Sequence, residues 1–133
     1  MAKFKKYNGK DKYHFRYYRK SVYHPFLVIM VTEEIEKEGK YTITGFSLTH
    51  SAEMVLKRPS KFVRFSKSPN PEDNEPSYFC IDIKSDKSKY FSEPLKKWHL
   101  DKKDEQLIDE LIKRKKKWSK PDHHSFNKHL LFS

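Results

Sequence analysis

The chain is predicted to be mainly β with helices, in the α+β class, with an antiparallel, strongly curved sheet or barrel followed by one C-terminal amphipathic helix. Three observations carry that prediction. Residues 25 to 31, Pro-Phe-Leu-Val-Ile-Met-Val, form an unbroken apolar run headed by a proline. It is too short for a helix buried all round, so it reads as a strand covered on both faces. Residues 41 to 51 alternate, with Tyr41, Ile43, Gly45, Ser47 and Thr49 on one side and Thr42, Thr44, Phe46, Leu48 and His50 on the other. That is the period of a strand between two different environments. Residues 101 to 117 open with acidic residues, and Leu107, Ile108, Leu111 and Ile112 recur as one helical stripe.

The elements follow in order. Residues 1 to 12 are polar and basic around Asn8-Gly9 and read as a mobile or loosely docked arm. Residues 13 to 18 alternate as a half-buried strand, Tyr13, Phe15 and Tyr17 on one face and His14, Arg16 and Tyr18 on the other. The second face is open to two readings: a solvated rim, or a wall where Arg16 meets phosphate and Tyr18 stacks on a base. The two strongest strands pair as a hairpin whose connection, 32 to 40, carries Gly39 for a longer loop. Residues 52 to 60 read as a helical turn or crossover closed by Pro59, 61 to 66 as a strand, and 67 to 77, with three prolines, as a surface loop. Residues 78 to 83 return as a strand. The Ser, Asp and Lys content of 84 to 89 reads as a turn, before a short extended piece at Tyr90-Phe91. Asp101 is placed as N-cap and Leu100 as hydrophobic staple of the last helix, which ends in the cations 113 to 117. Residues 1–118 are read as one domain and 119–133 as a polar, His-containing tail.

Composition narrows the functions. Lys and Arg outnumber Asp and Glu by 29 to 18, a net charge of +11, which favours a polyanionic partner such as nucleic acid or an acidic membrane surface. No apolar stretch approaches a bilayer span, and the basic start has no apolar segment behind it, so the expectation is a cytoplasmic protein with no membrane anchor. The lone Cys80 reads as a small core residue in a reducing compartment. Adjacent His123 and His124 lack the spacing that aims two rings at one ion, so no metal site is expected, and no cofactor loop occurs. The exit of the second hairpin strand, Leu48-Thr49-His50-Ser51, puts two hydroxyls and an imidazole where a buried strand surfaces.

In this order the parts resemble the MazF/PemK-type toxin family, the mRNA-cleaving toxins of bacterial toxin-antitoxin systems. The resemblance covers about residues 13 to 117. It rests on His24-Pro25 heading the apolar strand, the hydroxyl-rich exit 45 to 51, a late strand opening Ser77-Tyr78-Phe79, and a terminal helix entered as Trp98-His-Leu-Asp101. It implies a small SH3-like antiparallel β-barrel, a homodimer with single-stranded RNA crossing the dimer groove, an antitoxin protein as partner, and metal-independent cleavage by the neighbouring 2′-hydroxyl. Thr49 matches the family hydroxyl that contacts the phosphate. Members usually place Arg immediately before the strand proline, and here that position is His24. An imidazole can serve as acid, base or protonated phosphate partner, with Arg16 or Arg19 supplying permanent charge.

The candidate catalytic residues are therefore Thr49, His24 and Arg16. Tyr18, Arg19, Lys20, His50, Ser51 and Arg64 are the candidate nucleic-acid contacts. A sequence-selective endoribonuclease toxin is one reading. A non-catalytic nucleic-acid-binding module on the same barrel, or a protein-interaction module for an acidic partner, are the others.

Overall fold

The computed structural model describes residues 4–20, 24–34 and 40–118. Six strands and two helices occur there: β1 His14–Tyr18, β2 His24–Glu33, β3 Tyr41–Thr49, α1 Ala52–Lys57, β4 Phe62–Arg64, β5 Tyr78–Cys80, β6 Lys84–Lys87 and α2 Lys102–Trp118. The strands make one antiparallel sheet in the order β1-β2-β3-β5-β4, with β6 also on β3. The strand path does not close on itself. The outer edge of β1 is nevertheless covered by residues 91–95, since Ser92 N donates to Tyr17 O and Leu95 N to Phe15 O.

The predicted hairpin is the centre of this sheet. β2 pairs with β3 from Phe26↔Ser47 to Glu33↔Tyr41, with a bulge between Val28 and Met30. Side chains on the two sides of the hairpin enter two apolar clusters, as the period of 2 requires. Leu27, Phe46 and Leu48 join Phe15, Phe65, Phe79 and Ile108. Phe26, Val28 and Ile43 join Phe91. Gly45 sits where the strands approach most closely: a Cβ there would lie 1.9 Å from the Leu27 carbonyl oxygen and 2.9 Å from the Phe26 ring. Gly39, expected to shape the connection, lies outside the described residues.

Three expectations change. Residues 84–89 are not a turn: β6 pairs with Thr42 to Gly45 of β3, and a 3-10 turn spans Ser88–Tyr90. Tertiary partners override the turn composition here, because Ser85 Oγ meets Thr44 Oγ1 at 2.7 Å and Asp86 accepts the Tyr18 hydroxyl. The strand expected over 78–83 keeps only Tyr78–Cys80. The face of β1 expected to be half-open is closed, with His14 8% and Arg16 1% exposed. What covers it is the arm. Phe4 stacks on Tyr41 and Tyr7 lies parallel to His14 at 4.3 Å, so the described part of the arm is docked.

The α2 helix begins as expected, the Asp101 carboxylate accepting from Lys103 N at 3.1 Å. Three of the four residues of the predicted stripe meet the core. Ile108 is fully buried and Leu111 and Ile112 pack at the cluster's edge, whereas Leu107 is 37% exposed. Asp104 takes the inner place one turn earlier, 3% exposed, accepting from Ser66 N at 2.9 Å. Among the described residues no helix is long and apolar enough to cross a membrane. The tail with His123 and His124 lies outside the described residues.

Candidate functional site

Antiparallel pairing brings the start of β2 beside the end of β3, and there a cleft of about 290 Å³ opens. His24 and Pro25 line it from β2, Leu48, Thr49, His50 and Ser51 from the β3 exit, Ser68, Pro69, Asn70 and Ser77 from the 66–77 loop, and Trp98 from the approach to α2. The floor is apolar and aromatic. The polar groups are hydroxyls, an amide and two imidazoles, with no Lys or Arg among the lining residues.

Local hydrogen bonds aim several of these groups. Thr49 Oγ1 accepts from Ser51 N at 3.0 Å, which uses one lone pair and leaves its hydrogen near only the Met54 sulfur, 4.0 Å away. That hydroxyl remains able to donate to a ligand oxygen. Ser51 caps α1, its Oγ accepting from Met54 N at 3.2 Å, which likewise leaves its hydroxyl hydrogen able to donate. His50 is held at both nitrogens, Nδ1 at 2.9 Å from the Pro76 carbonyl and Nε2 at 3.0 Å from Asp73 Oδ2. His24 is exposed and has no hydrogen-bond or ion-pair partner among the described residues. Ser68 Oγ is buried with no partner there, a polar atom in the cleft wall whose hydrogen bond is unmade.

The sequence pointed to four of these residues, His24, Thr49, His50 and Ser51, and they do meet. The others lie elsewhere. Arg16 is enclosed: Nε donates to His14 Nε2 at 2.9 Å, Nη1 to Ser92 O at 3.0 Å and Nη2 to Lys5 O at 2.8 Å, with the guanidinium over the Phe4 ring. Those bonds anchor the arm and the 91–95 segment to β1, and leave Arg16 no route to an RNA phosphate. Tyr18 stacks on Phe91 with ring centroids 4.8 Å apart, so its face is taken by the core rather than offered to a base. Its hydroxyl is pushed up to about 12 by burial and by the hydrogen bond to Asp86. Lys20 pairs with Asp86 at 3.5 Å and lies over the Tyr90 ring. Arg19 is exposed beside Tyr18, whose partner across the ladder is His24. Arg64 is exposed on β4 and is not among the lining residues, although the register Thr49↔Tyr78↔Arg64 places it two strands from Thr49.

Sequence reading missed Trp98, Ser68, Asn70 and Asp73. A proline-rich acidic loop carries no sign of the strand end it will fold against, so only the tertiary arrangement brings these residues in. A larger hollow of about 400 Å³ lies between the arm and β2, walled by Phe4, Tyr7, His14 and Tyr41. Lys6, Lys12 and Glu33 also line it, and its one imidazole is tied to Arg16. Comparison of the chain with protein-family models, with curated proteins and with solved structures finds no match to any of them.

Proposed function

We propose that this chain is a sequence-selective endoribonuclease of the MazF/PemK toxin kind, cleaving single-stranded RNA without a metal in the reaction. In this reading the curved sheet, with 91–95 laid across β1, is an SH3-like barrel. The protein acts in the cytoplasm as a homodimer, restrained by an antitoxin protein. The observation that supports it is the meeting of His24 and Thr49 in one cleft, where the start of β2 adjoins the end of β3.

Cleavage by the neighbouring 2′-hydroxyl needs a base for its proton, a donor for the departing 5′-oxygen, and stabilisation of the charge that builds on phosphorus. The 2′-oxygen bonds to phosphorus as the 5′-oxygen leaves and takes a proton, giving a cyclic phosphate and a 5′-hydroxyl. His24, exposed and without a partner among the described residues, takes the 2′-hydroxyl proton and returns it to the departing 5′-oxygen. Thr49 donates its free hydroxyl hydrogen to a non-bridging oxygen. His50, fixed by Pro76 and Asp73, positions the strand exit. Arg19, next to the residue that pairs with His24, is a candidate for permanent charge.

The second reading, a non-catalytic nucleic-acid-binding module, is favoured by one observation: no Lys or Arg lines the cleft, and Arg16 is buried elsewhere. One experiment separates the two. Purified protein is incubated with long single-stranded RNA in EDTA and the new ends are analysed. Cleavage leaving 5′-hydroxyl ends, with Thr49→Ala slowing single turnover ~10-fold or more at unchanged RNA affinity, supports the nuclease. His24→Gln should slow it too, whereas His24→Arg retains activity if the ring supplies only charge. Uncut RNA, or variants as active as the parent, leaves the binding module as the better account.

A further inference from the structure

At the rim of the cleft, His50, Asp73 and Glu75 bring one ligating atom each within 4.8 Å of one another. They come from two separate parts of the chain, the β3 exit and the 66–77 loop. The Pro76 carbonyl can only accept, so the His50 Nδ1 that faces it at 2.9 Å carries the hydrogen. In the neutral ring this leaves a lone pair on Nε2. That lone pair points at Asp73 Oδ2, 3.0 Å away. A cation shared by the ring nitrogen and the carboxylate oxygen would sit between them. The carboxylate is itself oriented, because Asp73 Oδ1 accepts from Glu75 N at 2.8 Å and only Oδ2 is left for the ring. A histidine donating its far N–H to a backbone carbonyl, beside an oriented carboxylate, is the arrangement that supports a metal ligand.

We propose that His50, Asp73 and Glu75 bind a divalent transition cation of the zinc class at the rim of this cleft. Imidazole with two carboxylates is a borderline ligand set, suited to zinc-like ions rather than to magnesium. Bonds of about 2.0–2.2 Å put neighbouring tetrahedral ligands about 3.4 Å apart, a spacing reached by a small closure of the three groups. The His50 and Asp73 side chains are 40% and 25% exposed, so a fourth position stays open to water. Charge gives an independent argument. The loop sets Glu72, Asp73 and Glu75 close to a cleft in a chain of net charge +11, a local repulsion for any anionic ligand that a divalent ion would reduce. The ion would also tie the loop that carries Ser68 and Asn70 to the end of β3, fixing one wall of the cleft. This site stands apart from the RNA reading, which routes no step through a metal.

The test is a titration of the full chain, stripped with EDTA and desalted, with zinc chloride in competition with a chromophoric chelator. Because His123, His124 and His129 could also hold zinc, a variant with all three changed to Asn is titrated alongside. One equivalent of zinc should bind to both proteins. Asp73→Asn and Glu75→Gln should each weaken that binding ~10–100-fold while their metal-free thermal midpoints stay within a few degrees of the parent. The proposal is overturned if no stoichiometric zinc binds, or if binding disappears in the triple-Asn variant and survives Asp73→Asn. Either result would leave His50, Asp73 and Glu75 as an ordinary polar contact without an ion.

Discussion

His14 offers a sharp test of the closed β1 face, because its burial has a signed consequence for stability. The ring is 8% exposed, and its Nε2 accepts the Arg16 Nε hydrogen at 2.9 Å. A guanidinium only donates, so the bond requires the neutral ring. Burial first, and the adjacent Arg16 charge second, push this imidazole down to about 3 from an ordinary 6.5. Between those values the unfolded chain binds a proton that the folded chain refuses. Stability therefore rises with pH across the window: full above about 6.5 and lost progressively as pH falls toward 3. From pH 7 to pH 5 the linked loss is about 2 kcal/mol for this one group. For a chain of this size that is on the order of 5–10 °C in midpoint. The assay is thermal or urea unfolding of the parent and His14→Gln at pH 7, 6 and 5. Gln can still accept from Arg16 but does not titrate, so the variant should lose about 2 kcal/mol less than the parent over that range. Equal pH slopes would refute the reasoning and place His14 in contact with water.

Three further outcomes are expected. Ile108→Ala should cost about 2–5 kcal/mol in denaturant titration, and Leu107→Ala under about 1 kcal/mol, since the first is fully buried and the second 37% exposed; the reverse order would mean that α2 docks on a different face. Gly45→Ala should destabilise by about 3 kcal/mol or prevent folding, because the new methyl meets the Leu27 carbonyl oxygen at 1.9 Å; a cost below about 0.5 kcal/mol would contradict the close approach of β2 and β3. If the basic surface follows an RNA backbone, the log–log slope of affinity against salt should be near −0.7 for each phosphate neutralised, and Arg16→Met should leave that slope unchanged because the guanidinium is enclosed.

What could be read from the sequence was whatever a local period or cap encodes. The central hairpin was legible because β2 carries the unbroken apolar run 25 to 31 and β3 alternates, and a sheet packed on two apolar clusters uses those two patterns. The start of α2 was legible in Asp101. The misses share one cause. Lys84–Lys87 is polar, and only its partners Thr44 and Tyr18 make it a strand. The β1 face with His14 and Arg16 looked solvated because charge in sequence usually means water. Here Phe4 and Tyr7 of the arm cover it, and backbone carbonyls take the guanidinium's hydrogens. Asp104 lies on the inner face of α2 because the Ser66 and Lys67 amides need an acceptor, and its carboxylate supplies it.

The same reversal bears on the candidate site. An excess of positive charge suggests where a polyanion binds only if the cations are free to face it, and the most deeply placed cation, Arg16, is used instead to fasten the arm. Nor do the Lys20 and Lys61 ammonium groups stand alone, since they pair with Asp86 and Asp82. The cleft itself has two imidazoles, hydroxyls and an acidic loop beside it, a set suited to moving protons and holding a cation more than to attracting phosphate from a distance. Any RNA drawn in by the basic surface must therefore be held near the cleft by groups outside it. In the nuclease reading proposed above, Arg19, which follows directly on Tyr18 across the ladder from His24, is a candidate to supply that charge.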